Sequence, residues 1–125
     1  MYIISSYGKK EEKNIIIFEQ DKIKELSNIE SPSYVLLVDD LLFTISENST
    51  NGIIYSYKLI DNEFKLISML MTPNYVNILC HITYSKKQNK LYISSWGSGY
   101  LVICDVLDNG KLDNLQLIKY NNIDN

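Results

Sequence analysis

The chain has 125 residues, a hydrophobic fraction of 46% and a net charge of −3, enough apolar material for a packed core and too much for a disordered chain. All 12 of its basic residues are lysine, and the acidic balance supplies no electrostatic footprint for a nucleic acid partner. Ten tyrosines among many isoleucines suit pleated, half-buried surfaces, so the expected class is all-β.

Met1 to Ser6 has neither the basic start nor the long apolar centre of an export signal. No apolar run approaches the ~20 residues of a membrane span. The expectation is a cytoplasmic protein without membrane partners, with Cys80 and Cys104 as free, largely buried thiols.

The chain then repeats one plan three times. The first unit runs Tyr2-Ile3-Ile4-Ser5-Ser6, a polar loop to Asn14, and Ile15-Ile16-Ile17-Phe18-Glu19-Gln20. It turns at Asp21-Lys22 and returns as Ile23-Lys24-Glu25-Leu26. Ile23, Leu26 and Ile29 also recur at helical spacing, but the same position in the other units reads as a strand after a hairpin turn, which favours a strand here. The second unit has an apolar run at Tyr34-Val35-Leu36-Leu37-Val38, then Leu42 to Ser46, a loop through Asn51-Gly52, and Ile53 to Leu59. It turns at Asp61-Asn62-Glu63 into Phe64-Lys65-Leu66-Ile67. The third has Ile82-Thr83-Tyr84, Leu91 to Ser95, the loop Trp96 to Gly99, and Tyr100 to Cys104. It turns at Asp108-Asn109-Gly110, the strongest hairpin signal of the three, into Leu112 onward.

Asp21 and Asp61 stand 40 positions apart, and Asp61 and Asp108 stand 47 apart. A β-rich repeat of about 40–50 residues is the signature of propeller blades. Each full blade has four antiparallel strands, and the unbroken apolar run at 34–38 predicts an inner strand buried on both faces. The whole chain, 1–125, thus reads as a partial β-propeller of about two and a half to three blades, with units near 1–31, 32–72 and 78–121. The first unit lacks its inner strand. A ring needs roughly four to eight blades. The missing ones would come from the rest of a longer chain, of which this is the N-terminal part, or from self-association.

In such a blade the start of the inner strand and the end of the second strand share one edge. Ser33 and His81 then lie on one rim with Tyr7, Glu47 and Trp96, at the mouth of the central channel. Glu47 and His81 form a carboxylate–imidazole pair able to orient water and move protons in hydrolysis. Tyr7, Ser33 and Trp96 are the candidate substrate contacts. Each has a plain structural alternative: His81 as a satisfied strand-start residue, Glu47 as a solvated loop carboxylate, Trp96 as packing between blades. One histidine and two distant cysteines make no zinc spacing, and there is no phosphate-cradling glycine loop or serine elbow. No metal and no cofactor is expected.

Four pieces carry a resemblance: Ser31-Pro32-Ser33-Tyr34, Leu42-Phe43-Thr44-Ile45-Ser46-Glu47-Asn48, Cys80-His81-Ile82 and Ser95-Trp96-Gly97-Ser98-Gly99. In their order and spacing the chain resembles the seven-bladed propeller lactonases, the group of 6-phosphogluconolactonases and their carboxy-muconate lactonising relatives. The resemblance implies a hydrolase acting on a sugar lactone such as 6-phosphogluconolactone, with Glu47 and His81 at the central cleft. It also implies an oxyanion-stabilising arginine from later blades, which this chain lacks. Here Leu79 replaces the family's proline, Asp39-Asp40 and Lys86-Lys87-Gln88-Asn89 replace its Asp-Gly turns, and Trp96 replaces a smaller aromatic. Such a parent would be active while the 125-residue chain alone would not. The alternatives are a non-enzymatic propeller serving as a binding scaffold, and an inactive truncated product.

Overall fold

The structure is a computed structural model, and it describes residues 1–48 and 50–120. The expected end of the third unit at residue 121 lies outside them. Every regular element among the described residues is a strand, and the strands form three antiparallel sheets. The first sheet is β1 (Tyr2–Ser5), β2 (Ile15–Glu19) and β3 (Lys22–Leu26), side by side in that order. The second is β4 (Pro32–Val38), β5 (Leu41–Ser46), β6 (Ile53–Ile60) and β7 (Glu63–Met71), again in chain order. The third is β8 (Leu79–Ser85), β9 (Lys90–Ser95), β10 (Tyr100–Val106) and β11 (Leu112–Lys119), in the same meander. The helical alternative after Asp21 loses to β3, whose Ile23 and Leu26 pair with Phe18 and Ile15 of β2.

The sheets stack face to face around two apolar layers. One, between the second and third sheets, holds Phe43, Ile45, Ile54, Ile82, Ile93 and Val102. The other, between the first and second, holds Ile15, Ile17, Ile29, Leu42, Tyr55 and Tyr57. The period of two explains the division: Leu42 faces one layer while Phe43 and Ile45 face the other. Burial on both faces therefore falls on β5, not on the apolar run 34–38 of β4. That inner strand is half-buried along most of its length and Leu37 is exposed. The reason is geometric. β5 is flanked by β4 and β6 and covered on both sides, whereas β4 is the edge strand of its sheet among the described residues.

Turn chemistry also departs from expectation. Asp61 and Asn62 both have positive φ (51° and 67°) and close the two-residue hairpin between Ile60 and Glu63, as a primed turn requires. Asp108-Asn109-Gly110 instead sits in a wider loop between Val106 and Leu112. There only Gly110 has positive φ (90°), and a Cβ on it would meet Leu41 Cδ2 at 2.7 Å. The first hairpin turns on Gln20 (φ 55°) and Asp21 rather than Asp21-Lys22.

The thiols are free, and they differ. Cys104 is fully buried and Cys80 half-buried. Burial first, then the neighbouring Asp105 carboxylate, pushes the Cys104 thiol from 9.0 up to about 12. The unfolded chain therefore loses this proton before the folded one does. The thiol's contribution to stability is complete below pH 9 and declines as pH rises from 9 toward 12. A thiol-labelling reagent at pH 8 should accordingly modify one cysteine per native chain, Cys80, and reach Cys104 only on unfolding. Equal labelling rates at the two positions would contradict this packing.

Candidate functional site at the strand-start rim

The two complete sheets build the same corner twice. Ser31 (φ 43°) and Ile78 (φ 53°) immediately precede the inner strands. For a β-branched side chain such as Ile78 this backbone conformation is costly. Paired hydrogen bonds hold each of them. Ser31 takes the Glu47 N–H on its carbonyl at 2.9 Å, and Ile78 takes that of Trp96 at 2.9 Å. Ser46 Oγ donates to Glu30 O at 2.5 Å and Ser95 Oγ to Asn77 O at 2.6 Å, closing both corners alike.

A bulge follows in each inner strand. Pro32 pairs with Ser46 and Tyr34 with Ile45, leaving Ser33 as the extra residue. Leu79 pairs with Ser95 and His81 with Ser94, leaving Cys80 as the extra residue. Bulges re-aim side chains at strand ends, and this one corrects the correspondence between units. Ser33 matches Cys80, and Tyr34 matches His81. By the same register Glu47 and Trp96 are equivalent, and Ser6 rather than Tyr7 is their counterpart in the first sheet.

The five predicted rim residues do not all meet. Tyr7 Oη donates to Glu47 Oε2, a direct bond from the first sheet to the second. That bond, then burial, then the charge of Glu47 hold the Tyr7 hydroxyl above its ordinary pKa. A smaller contribution from Cys80 adds in the same direction and places that residue within electrostatic reach. Ser33 Oγ donates to Leu79 O at 2.7 Å, tying the two inner strands together. His81 is exposed and packs its ring on Tyr34, with centroids 4.4 Å apart and planes at 57°. Trp96 is 76% exposed, so the indole is no packing element between these blades. Among the described residues no hydrogen bond or ion pair links Glu47 to His81, and no cluster of three or more His, Cys, Asp or Glu side chains is spaced for a metal.

The arrangement offers a carboxylate with one oxygen held by a phenol and the other without a hydrogen-bond partner among the described residues. An exposed imidazole on a tyrosine ring sits on the adjacent inner strand. Two participants escaped the sequence pattern: Tyr34, which supports His81, and Cys80, which occupies the bulge beside it. Their signal was the pairing of Ser33-Tyr34 with Cys80-His81, readable only with the bulges in place.

A family model described as "Lactonase, 7-bladed beta-propeller" matches residues 1–122. The chain belongs to this propeller lactonase family. Several solved structures share the fold, and three of them follow. The periplasmic gluconolactonase PpgL of Pseudomonas aeruginosa superposes with a TM-score of 0.75 at 19% identity, over 94% of this chain and 38% of that one. A putative 6-phosphogluconolactonase from Bacteroides fragilis gives 0.74 at 15%, over 94% and 35%. A Lactobacillus plantarum protein gives 0.74 at 13%, over 94% and 36%. No curated protein sequence matches. The chain spans little more than a third of the length of these lactonase-fold structures. Its three sheets thus match successive blades of a partial propeller, the first with three strands among the described residues. No helix of the described residues is long and apolar enough to cross a membrane.

Proposed function

We propose that this chain supplies one sector of a sugar-lactone hydrolase, and that Glu47 and His81 carry its proton chemistry. The observation that supports the reading most directly is the Tyr7–Glu47 bond on the same rim as His81, in a chain of the lactonase family. Glu47 takes a proton from water as the oxygen attacks the lactone carbonyl. The ring C–O bond then breaks, and the proton passes to the departing alkoxide to give the open hydroxy acid. Tyr7 fixes the carboxylate through one oxygen. His81, steadied by Tyr34, stands on the adjacent inner strand to hydrogen-bond the substrate or relay that proton.

Ser33 spends its own hydrogen on Leu79 O, so it meets substrate only as an acceptor. Trp96 presents an exposed indole face to a sugar ring. The developing oxyanion needs a cation, which comes from blades outside this sector. A 6-phosphogluconolactone-like substrate is supported by the likeness to a putative 6-phosphogluconolactonase, and two unpaired thiols fit a reducing, cytoplasmic setting.

Acid release from δ-gluconolactone tests the reading. A protein carrying this chain within a closed seven-bladed ring should exceed the spontaneous rate, and the 125-residue chain alone should not. If the closed ring turns over neither δ-gluconolactone nor 6-phosphogluconolactone, the chain is a scaffold and the hydrolase reading fails.

A further inference from the structure

Between the first two sheets, reaching Ser46 and Asn48 on either side of Glu47, the structure contains an open cleft of about 540 Å³. This lies within the ~300–1,000 Å³ of small-molecule sites. Two local features create it. The first is a bulge at Ile67. Tyr57 pairs with Leu66, Tyr55 with Met69 and Ile53 with Met71, with Ile67 as the extra residue. Leu66 would otherwise point to the face opposite Met69 and Met71. The bulge brings all three onto the face of Ile53, Tyr55 and Tyr57, as one apolar wall. The second is the shortness of β3. It ends at Leu26, and the chain continues as Ser27, Asn28 and Glu30, which with Lys10 form the opposite, polar wall.

The wall is not simply an unfinished hydrophobic face. Tyr55 and Tyr57 are 4% and 7% exposed, and both line the cleft. Neither hydroxyl has a hydrogen-bond partner among the described residues. The rings are buried, but the hydroxyls are open to solvent: among the described residues no buried side-chain oxygen or nitrogen lacks a partner. Two such hydroxyls on the wall of a cleft can exchange water for the acceptor of a bound molecule. Lys10 and Glu30 offset each other in charge, and Glu30 Oε1 accepts from Asn48 Nδ2 at 3.3 Å, so the polar wall offers an acceptor without a net field. Leu66, Met69 and Met71 remain about half exposed, and methionine adapts to irregular ring shapes.

We propose that this cleft binds a small uncharged compound of one or two rings bearing an oxygen. Its rings lie on Leu66, Met69 and Met71, and its oxygen accepts from Tyr55 or Tyr57. The site is built wholly from the first two sheets, so it does not depend on closure of the ring. Its lining borders the proposed lactone site at Ser46 and Asn48 but includes none of Tyr7, Ser33, Glu47, His81 and Trp96.

The probe is 2-naphthol, titrated against the full chain by its own fluorescence and by equilibrium dialysis. One saturable site per chain is expected. The double variant Tyr55→Phe/Tyr57→Phe should weaken it about fivefold, the worth of one neutral hydrogen bond. Met69→Lys, at a half-exposed position that folding tolerates, should weaken it at least about tenfold by placing a charge on the apolar wall. Circular dichroism checks that each variant keeps its strands, and Met71→Lys replaces Met69→Lys if that chain fails to fold. Absence of saturable binding would overturn the proposal, as would binding unchanged in both kinds of variant. Concentration-dependent self-association abolished by Met69→Lys would also overturn it, since a second copy would then be the occupant.

Discussion

Glu47→Gln and His81→Ala, each placed in a closed seven-bladed ring, should lower kcat for δ-gluconolactone by roughly 10²–10⁴-fold, the usual weight of a positioned acid or base. The glutamine keeps an oxygen for Tyr7 Oη, so the bond joining the first and second sheets survives. What it loses is the ability to take a proton from water. The loss should therefore appear in kcat, with KM nearly unchanged. His81 is exposed, and its removal leaves only one face of Tyr34 uncovered, so a folding defect would not explain a slow variant. Full activity in both substitutions would refute the site while leaving the fold untouched.

Phe43→Ala should cost about 3–5 kcal/mol, as large-to-small changes at a fully buried aromatic do. Phe43 is 0% exposed and stacks on Tyr84 with centroids 6.0 Å apart. It lies in the layer that joins the second sheet to the third, so the hole opens between blades rather than inside one. Single domains hold only about 5–15 kcal/mol in total, and the variant should lose most of its cooperative thermal transition. Ile23→Ala is the matched control. At 61% exposure it should move stability by less than about 0.5 kcal/mol. A Phe43→Ala chain melting within a degree or two of the parent would mean that the two sheets do not share this core.

The blades were legible because alternation is a strong signal. In β9, Leu91, Ile93 and Ser95 are buried while Tyr92 and Ser94 are half-buried, and period two reports that directly. Bulges were not legible. An extra residue at Ser33, Cys80 or Ile67 leaves the local composition unchanged and alters only the phase. For that reason the sequence pattern sets Ser33 against His81, whereas the register sets it against Cys80. The wall made by Leu66, Met69 and Met71 was invisible on the same ground. The exposure of Trp96 and the double burial of β5 depend on which neighbours exist, which no local window contains. The Tyr7–Glu47 bond spans 40 positions. The sequence indicated only a shared rim for these two residues.

The hydroxyl ties between sheets have a further consequence. Ser33 bonds Leu79 O at the inner edge, and Ser56 Oγ bonds Gly110 O at 2.7 Å. Ser68 Oγ takes the Leu112 N–H at 2.8 Å. The second and third sheets are thus pinned at both ends of a continuous core. The first sheet has three short strands and meets the second across the smaller of the two cores. Local opening follows such differences in bonding. Amide protons of β2 and β3 should exchange with solvent deuterium well before those of β5, β6, β9 and β10. The larger unit should open as one block, with the first sheet peeling away ahead of it.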